Sequence, residues 1–388
     1  MREAGYEAYP VGGCVRDLAL GLHPHDWDLC TSARPEELLR LFPAALPTGI
    51  KHGTVTVKSG GKHLEITTFR ADGDYADHRR PESVRFVREL RDDLSRRDFT
   101  VNAMALAPDG TVVDLFGGRA DAEARVLRCV GEPSLRFEED ALRMFRALRF
   151  AARLGFSIQD STLAAMREKA PLAAALAPER VRAELERILL SPRPEMFAAA
   201  QELGLLASYL SPAQIDGAAL RRLGRLLKRA PLRWTGLCLI LRGCGAIRDT
   251  ASFLSSLRME TKTVRLASLV ESAWEGPAPE SPTDYKHLLR RIGPEAAEGY
   301  TRCRDALKGG KRLRALRAVL ESGEPWSLGE LAINGRTLAA LGFRGEELGR
   351  ALDALLDRVI EAPADNTEEK LTALAAEYRE GLWTPGRA

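Results

Sequence analysis

No stretch of this 388-residue chain approaches the roughly 18 apolar residues in a row that a membrane-spanning helix needs, so no such span is expected. Its six cysteines, Cys14, Cys30, Cys129, Cys238, Cys244 and Cys303, form no CxxC pair. Scattered in this way they suit reduced packing thiols, and they argue against a disulfide framework or a zinc site. The opening "MREAGYEAYP" lacks the basic-then-apolar design of a secretory leader. Together these absences lead us to expect a cytoplasmic protein. There is no repeat at a fixed period, no low-complexity tract and no large excess of one charge, the formal net charge being +3.

What is present is globular: 45% of residues are hydrophobic and 29% charged. Single cores rarely grow past about 250 residues, so two to four domains are expected. Arginines gather in "ALRRLGRLLKRAPLRW", "HLLRRIG" and "GGKRLRALRAVL". Such clusters suit a basic track along a phosphate backbone, although any one of them is ordinarily a solvated helix face.

The chain changes character near residue 128. Before it, β-branched runs such as "HGTVTVKSGGKHLEITTFR" and "TVVDLFGG" alternate with turns, which predicts strands with a few helices. After it, Leu, Ala, Arg and Glu recur at helical spacing, with Leu142, Phe145, Leu148 and Ala152 on one stripe and Val181, Leu185 and Ile188 on another. Pro/Gly/Ser punctuation near 191–197, 275–285 and 322–330 marks possible hinges. The charge-dense "RADGDYADHRRPESVRFVRELRDDLSRRD" reads as a mobile excursion between two strands.

Asp26-Trp27-Asp28 suggests chemistry. Alternate strand residues share a face, so the two aspartates are expected to project together while Trp27 turns into the core. Paired carboxylates bind hard divalent cations while leaving coordination positions for phosphate oxygens, and Mg²⁺ is the natural candidate. Alone, a D-x-D is most often two solvated aspartates. Two features shift the balance. Gly12-Gly13 would allow close approach of a triphosphate at the start of a helix carrying Arg16, and Glu65 in "KHLEITTFR" would add a third carboxylate. Two metals held in this way would activate an attacking hydroxyl and neutralise a leaving pyrophosphate. In "DDLSRRDFTVNAMAL", Arg96 and Arg97 suit phosphate and ribose oxygens, with Asp98 holding one of them in place. Asp114 and Gly117-Gly118 in "VVDLFGGRAD" are expected to shape a turn.

In "RFEEDALRMFRALRF" a continuous helix would put Asp140 and Arg143 on one face and pair Glu139 with Arg143. The ordinary reading is a surface ion pair. The functional reading is a template: an Asp acceptor beside an Arg donor matches the amino group and ring nitrogen of cytosine or adenine. Uracil and guanine would leave the Asp unpaired, a penalty of roughly 1–3 kcal/mol.

In order and approximate spacing, "GGCVRD" with "DWD", "RRDFTVNAMA", "DLFGG", "EDALRMFRALRF" and "ERVRAELERIL" resemble the five motifs of class II tRNA nucleotidyltransferases, the CCA-adding family, which is similar to bacterial poly(A) polymerases. The likeness is strong over about residues 10–215 and looser to the end. It implies an α+β head of the polymerase-β type followed by an all-α neck, body and tail, here 1–128, 129–200, 201–290 and 291–388. It implies addition of C, C and A to the tRNA 3′ end from CTP and ATP, with the helical parts holding the acceptor end and TΨC arm. Carried over by position, Asp26 and Asp28 hold the metal, and Gly12, Gly13 and Arg16 contact the triphosphate. Arg97 touches the nucleotide, Asp140 and Arg143 read its base with Arg146 on the same helix, and Glu179, Arg180 and Glu184 support the neck. CC-only members lack the element in the mobile loop; its presence here as "DYADHRRPESVRFV", with Arg79-Arg80 beside Glu82, leaves full CCA addition or A-only addition. His23, His25, His52, His63, His78 and His287 form no phosphohydrolase signature, so no extra phosphatase activity is expected. Monomer and homodimer both remain open.

Overall fold

The computed structural model describes residues 1–72 and 84–382. Segment 73–83, with Arg79, Arg80 and Glu82, lies outside the described residues, and so does the loop reading that rests on it. The chain divides into two compact units, residues 1–224 with 256–258, and residues 225–255 with 259–388.

The first unit opens on a five-stranded sheet. Its strands are β1 (Ala8–Pro10), β2 (Asp28–Thr31), β3 (Leu46–Gly49), β4 (Thr54–Ser59) and β5 (Lys62–Thr68), in the spatial order β1-β2-β5-β4-β3. Within this sheet β2 and β5 pair in parallel, with Asp28 opposite Glu65, and the other neighbours pair antiparallel. The β4–β5 hairpin follows from the sequence. Gly60 and Gly61 both take positive φ, 57° and 75°, as a two-residue turn matching strand twist requires, and alternation buries Val55, Val57 and Ile66. Three short pairs follow: β6 (Arg70–Asp72) with β7 (Val84–Phe86), β8 (Met104–Leu106) with β9 (Val112–Asp114), and β10 (Val126–Leu127) with β11 (Ser157–Ile158). The last pair carries strand structure beyond residue 128, where only helix was expected. Two residues per strand leave no readable alternation.

Helix α1 (Gly13–Ala19) follows β1, α2 is Pro35–Leu41, α3 (Leu90–Ser95) follows β7, and α4 (Gly118–Ala124) follows β9. The core between sheet and helices gathers Val11, Cys30, Phe69, Leu94, Ala103, Ala105 and Val130. Asp114 shapes the β9–α4 turn by accepting from the backbone N–H groups of Gly118 and Arg119, each at 2.9 Å. A Cβ on Gly118 would sit 2.2 Å from the Thr100 carbonyl oxygen. Backbone cannot yield to that clash as a side chain would, so Gly118→Ala is expected to cost at least about 2 kcal/mol. Urea unfolding monitored by circular dichroism checks this, and an unchanged midpoint would contradict it.

Helices α5 (Pro133–Glu139), α6 (Leu142–Leu154), α7 (Asp160–Lys169) and α8 (Pro178–Leu189) complete the part of this unit that matters for the site. Both expected apolar stripes are buried: Leu142, Phe145, Leu148 and Ala152 on α6, Val181, Leu185 and Ile188 on α8. Glu184 reaches from α8 to Arg149 on α6 at 2.5 Å, with both side chains buried.

The second unit is helical, its longer helices being Ala230–Gly243, Thr261–Trp274, Pro282–Lys308 and Gly345–Glu361. The Pro282–Lys308 helix is kinked at Gly293, which has φ 78° and precedes Pro294. One arginine of the expected basic track points inward instead. Arg233 is 1% exposed and donates to the carbonyls of Leu226 and Leu227, so it caps a chain reversal. All six cysteines are free thiols, and all but Cys244 are buried. Burial pushes the thiols of Cys30, Cys129 and Cys303 up to about 12 and raises those of Cys14 and Cys238.

Candidate active site

A cleft of about 560 Å³ opens in the first unit, and most residues singled out in the sequence converge on it. Gly12, Gly13, Arg16, Asp26, Asp28, Arg97, Asp140, Arg143 and Arg146 all line it. Eight arginines and five aspartates face the space, so it is built for a polyanion.

Its floor is the β1–α1 turn. Gly12 has φ 81° and ψ −127°, a conformation that residues with a side chain rarely adopt, and its N–H donates to the Met104 carbonyl at 3.1 Å. The amides of the first turn of α1 are therefore the ones free of helical partners. A Cβ on Gly12 would stand 3.0 Å from Arg97 Nη1, so the absent side chain is what lets that guanidinium lie on the turn.

Asp28 opens β2, but Asp26 precedes the strand, so the two aspartates are not alternate residues of one ladder as expected. The ordered strand begins where backbone pairing with β5 begins. Trp27 is half-buried against Cys14, Val15 and Met104, close to the expected inward turn. Both carboxylates border the cleft and are exposed, and among the described residues neither makes a hydrogen bond or ion pair. Desolvation raises the Asp28 carboxyl above its usual range, Arg97 opposes the shift and Asp26 adds to it. Two unpaired oxygen donors that repel each other in a cationic cleft suit a hard divalent cation. Glu65 is not among the residues that border the cleft. It lies beside Asp28 in register, but its side chain is exposed and does not line the cleft. Among the described residues no three His, Cys, Asp or Glu side chains gather as a metal-binding group. Directly paired residues on neighbouring strands project to the same face, so Glu65 stands next to Asp28 in the sheet without bordering the cleft.

The arginines are organised by two buried aspartates. Asp98 does not hold Arg96 or Arg97 as the sequence suggested. It binds Arg146 through Nε at 2.7 Å and accepts from Asn102 at 3.1 Å. Asn102 in turn accepts from Arg16 at 2.6 Å, and Arg16 also pairs with Asp17. Arg96 and Arg97 instead belong to Asp93, at 2.8 and 3.0 Å. Asp93 lies in a stretch read as an excursion, yet on α3 it stands three and four residues before these arginines, the spacing that would have revealed it.

Burial pushes the Asp98 carboxyl up, but Arg146 and the hydrogen bonds from Asn102 and Arg146 outweigh it and bring it down to about 2. A carboxyl held below its ordinary 3.8 stabilises the fold above that pH, and the contribution disappears as pH falls toward 2. It amounts to about 2 kcal/mol. Thermal melts of wild type and Asp98→Asn between pH 6 and 2 should therefore converge below pH 4, and parallel curves would contradict this.

The expected continuous helix is broken at Asp140. Its backbone is extended, with φ −144° and ψ 103°, between α5 and α6. Its side chain accepts from Leu142 N–H at 3.0 Å, the local competition with helix that aspartate favours. Asp140 then faces Arg180 of α8 at 2.9 Å. Arg180, expected to support the neck, thus reaches the cleft itself. Arg143 is 8% exposed; it pairs with Glu139 at 2.6 Å as expected and donates to the Arg96 carbonyl at 3.0 Å. Glu139 also pairs with Arg136. Arg70, His25 and Arg153 line the cleft with no sequence signal that marked them.

Against known proteins, residues 8–128 match the poly A polymerase head domain and residues 155–215 match a probable RNA and SrmB-binding site of polymerase A. The chain is 39% identical over 386 residues to the CCA-adding enzyme of Limosilactobacillus fermentum, covering 97% of this chain and 94% of that protein. It is 40% identical over 389 residues to that of Geobacillus kaustophilus, covering 96% and 93%. Among solved structures, the Bacillus stearothermophilus CCA-adding enzyme in complex with CTP superposes with a TM-score of 0.82 at 36% identity, covering 98% of this chain and 95% of that one. The Thermotoga maritima CCA-adding enzyme complexed with tRNA shares the fold, with a TM-score of 0.67 at 21% identity, covering 97% and 92%.

Proposed function

The chain belongs to the CCA-adding enzymes, and from that premise we propose that its cleft extends the tRNA 3′ end with C, C and A, taking CTP and ATP one at a time. The observation that carries this reading is the convergence in one cleft of an unpaired aspartate pair, a glycine turn, a ring of arginines and the Asp140/Arg143 pair.

The triphosphate lies over the Gly12-Gly13 turn, where the first-turn amides of α1 and the guanidiniums of Arg16 and Arg97 meet its charge. Asp26 and Asp28 would hold the divalent metal that nucleotidyltransferases of this family use, and we assign it as Mg²⁺ on the hardness of an all-oxygen donor set. That metal supplies activation of the attacking hydroxyl and neutralisation of charge at the phosphates. The tRNA 3′-oxygen attacks the α-phosphorus and the bond to the β-phosphate oxygen breaks, releasing pyrophosphate. Asp140 accepts from the amino group of cytosine or adenine, and Arg143 donates to the adjacent ring nitrogen. Arg146, fixed by Asp98, lies alongside.

The division into head 1–128, neck 129–200, body 201–290 and tail 291–388 belongs to the same reading, supported by the kink at Gly293 close to the body–tail boundary. So does a helical remainder that grips the acceptor end and TΨC arm. Among the described residues no helix is long and apolar enough to cross a membrane. A cytoplasmic location belongs to the same proposal, supported by action on tRNA and free nucleotides.

Three tRNA transcripts ending before the first C, after the first C and after the second C test the proposal, each given Mg²⁺ and CTP, ATP, UTP or GTP. Completion of all three with CTP and ATP, and with no other pair, is expected. Extension only of the third, only by ATP, would replace the proposal with A-only addition.

A further inference from the structure

We propose that Asp93 is a positioning residue for the nucleotide, holding Arg97 against the glycine turn so that one arm of its guanidinium faces the triphosphate. The inference rests on the reading of the cleft given above.

Asp93 itself does not line the cleft, and its side chain is fully buried. Its Oδ1 accepts from Arg96 at 2.8 and 3.1 Å and from the Arg70 backbone N–H at 3.4 Å, while Oδ2 accepts from Arg97 Nη2 at 3.0 Å. Burial would push this carboxyl up, but Arg97 and Arg96 hold it below the usual range, so it stands ionised at the foot of the cleft. The guanidinium is rigid, so anchoring Nη2 restrains where its other arm can lie. The opposite arm, Nη1, then lies where a Gly12 Cβ would be only 3.0 Å away, and its remaining contact is a long 3.5 Å one to the Asn102 carbonyl. Nε is buried without a partner. Arg97 is therefore half committed: one arm anchored in the protein, the other aimed along the turn on which the phosphates would lie.

The arrangement meets the machinery assigned to the base only through backbone, where Arg143 donates to the Arg96 carbonyl. Asp98 serves Arg146 and Asn102, and Asp140 faces Arg180. Loss of Asp93 would act on what CTP and ATP share and spare what distinguishes them. Without its anchor, Arg97 would be free to turn toward Asp28, whose charge it already offsets.

The test is equilibrium binding of CTP and of ATP to the full chain without tRNA, together with steady-state kinetics. Asp93→Asn is expected to weaken both nucleotides by about tenfold or more and by the same factor, because it removes a charge-assisted hydrogen bond that orients their common partner. KM should rise with a far smaller change in kcat. Arg97→Met should weaken binding similarly, and adding Asp93→Asn to it should weaken it no further. Unchanged binding in Asp93→Asn, an altered CTP-to-ATP ratio, or a further loss in the double variant would each overturn the proposal. If Asp93→Asn does not fold, the double variant, which removes both charges of the Asp93–Arg97 pair, is compared with Arg97→Met on the same terms. Failure of that variant to fold as well would leave Asp93 a purely structural role. Wild-type protein that binds neither triphosphate would instead sink the reading of the cleft itself.

Discussion

Asp28→Ala, or Asp26→Ala, is expected to lower incorporation of both C and A by at least about a thousandfold, the several kcal/mol that a metal contributes to phosphoryl transfer. Binding of tRNA should stay within about threefold of wild type, since one exposed carboxylate contributes little to a large polyanion interface. Stability should hardly change. Both side chains are exposed and, among the described residues, unpaired, so their removal leaves neither a cavity nor an orphaned partner. That sets them apart from the buried Asp93 and Asp98, whose loss would strand half-buried arginines. Single-turnover primer extension with labelled CTP and ATP, beside a melting curve, separates the cases. Retention of more than a tenth of wild-type activity by either alanine variant would remove the pair from the chemistry.

Asp140→Ala should give the second large effect, on choice more than on rate. Discrimination of CTP against UTP is expected to fall by about 10- to 100-fold, corresponding to the roughly 1–3 kcal/mol of leaving a desolvated acceptor unpaired. The variant also removes the ion pair that Asp140 makes with Arg180 at 2.9 Å. Uracil and guanine carry a carbonyl where cytosine and adenine carry the amino group, so the loss of the acceptor removes the penalty against them. Arg180→Gln isolates the contribution of the ion pair: with Asp140 still present it should weaken binding of C and A while leaving UTP rejected. Competition between CTP and UTP for one primer measures both, and undiminished selectivity in Asp140→Ala would refute base reading at this position.

These residues also show what the sequence discloses. The β4–β5 hairpin was legible because alternation and a Gly-Gly turn agree, and the stripes of α6 and α8 because a 3.6-residue period repeats over several turns. The metal pair and the glycine turn were legible as residue types, since few side chains other than carboxylates hold a hard cation and few residues other than glycine take φ 81°. The break at Asp140 was not. Every residue from Glu138 to Met144 tolerates helix, and what breaks it is a local bond from Leu142 N–H together with Arg180, 40 positions away. Partner choice among the arginines was equally hidden. Asp98 adjoins Arg96 and Arg97 in sequence but takes Arg146, 48 positions on, because a buried carboxylate pairs with what the fold brings to it. Glu65 is paired with Asp28 by register yet does not border the cleft, a distinction the sequence pattern did not carry.

The burial of the cysteines has a practical consequence for handling the molecule. Alkylating and maleimide reagents attack thiolates, and at pH 7 a thiol whose pKa is about 12 offers almost none, while burial also blocks the reagent's approach. Five of the six sulfurs lie inside the fold, leaving Cys244 as the accessible handle. A single serine at position 244 would therefore give a chemically silent background, onto which one engineered surface cysteine at a time could carry a fluorophore without dismantling the native core.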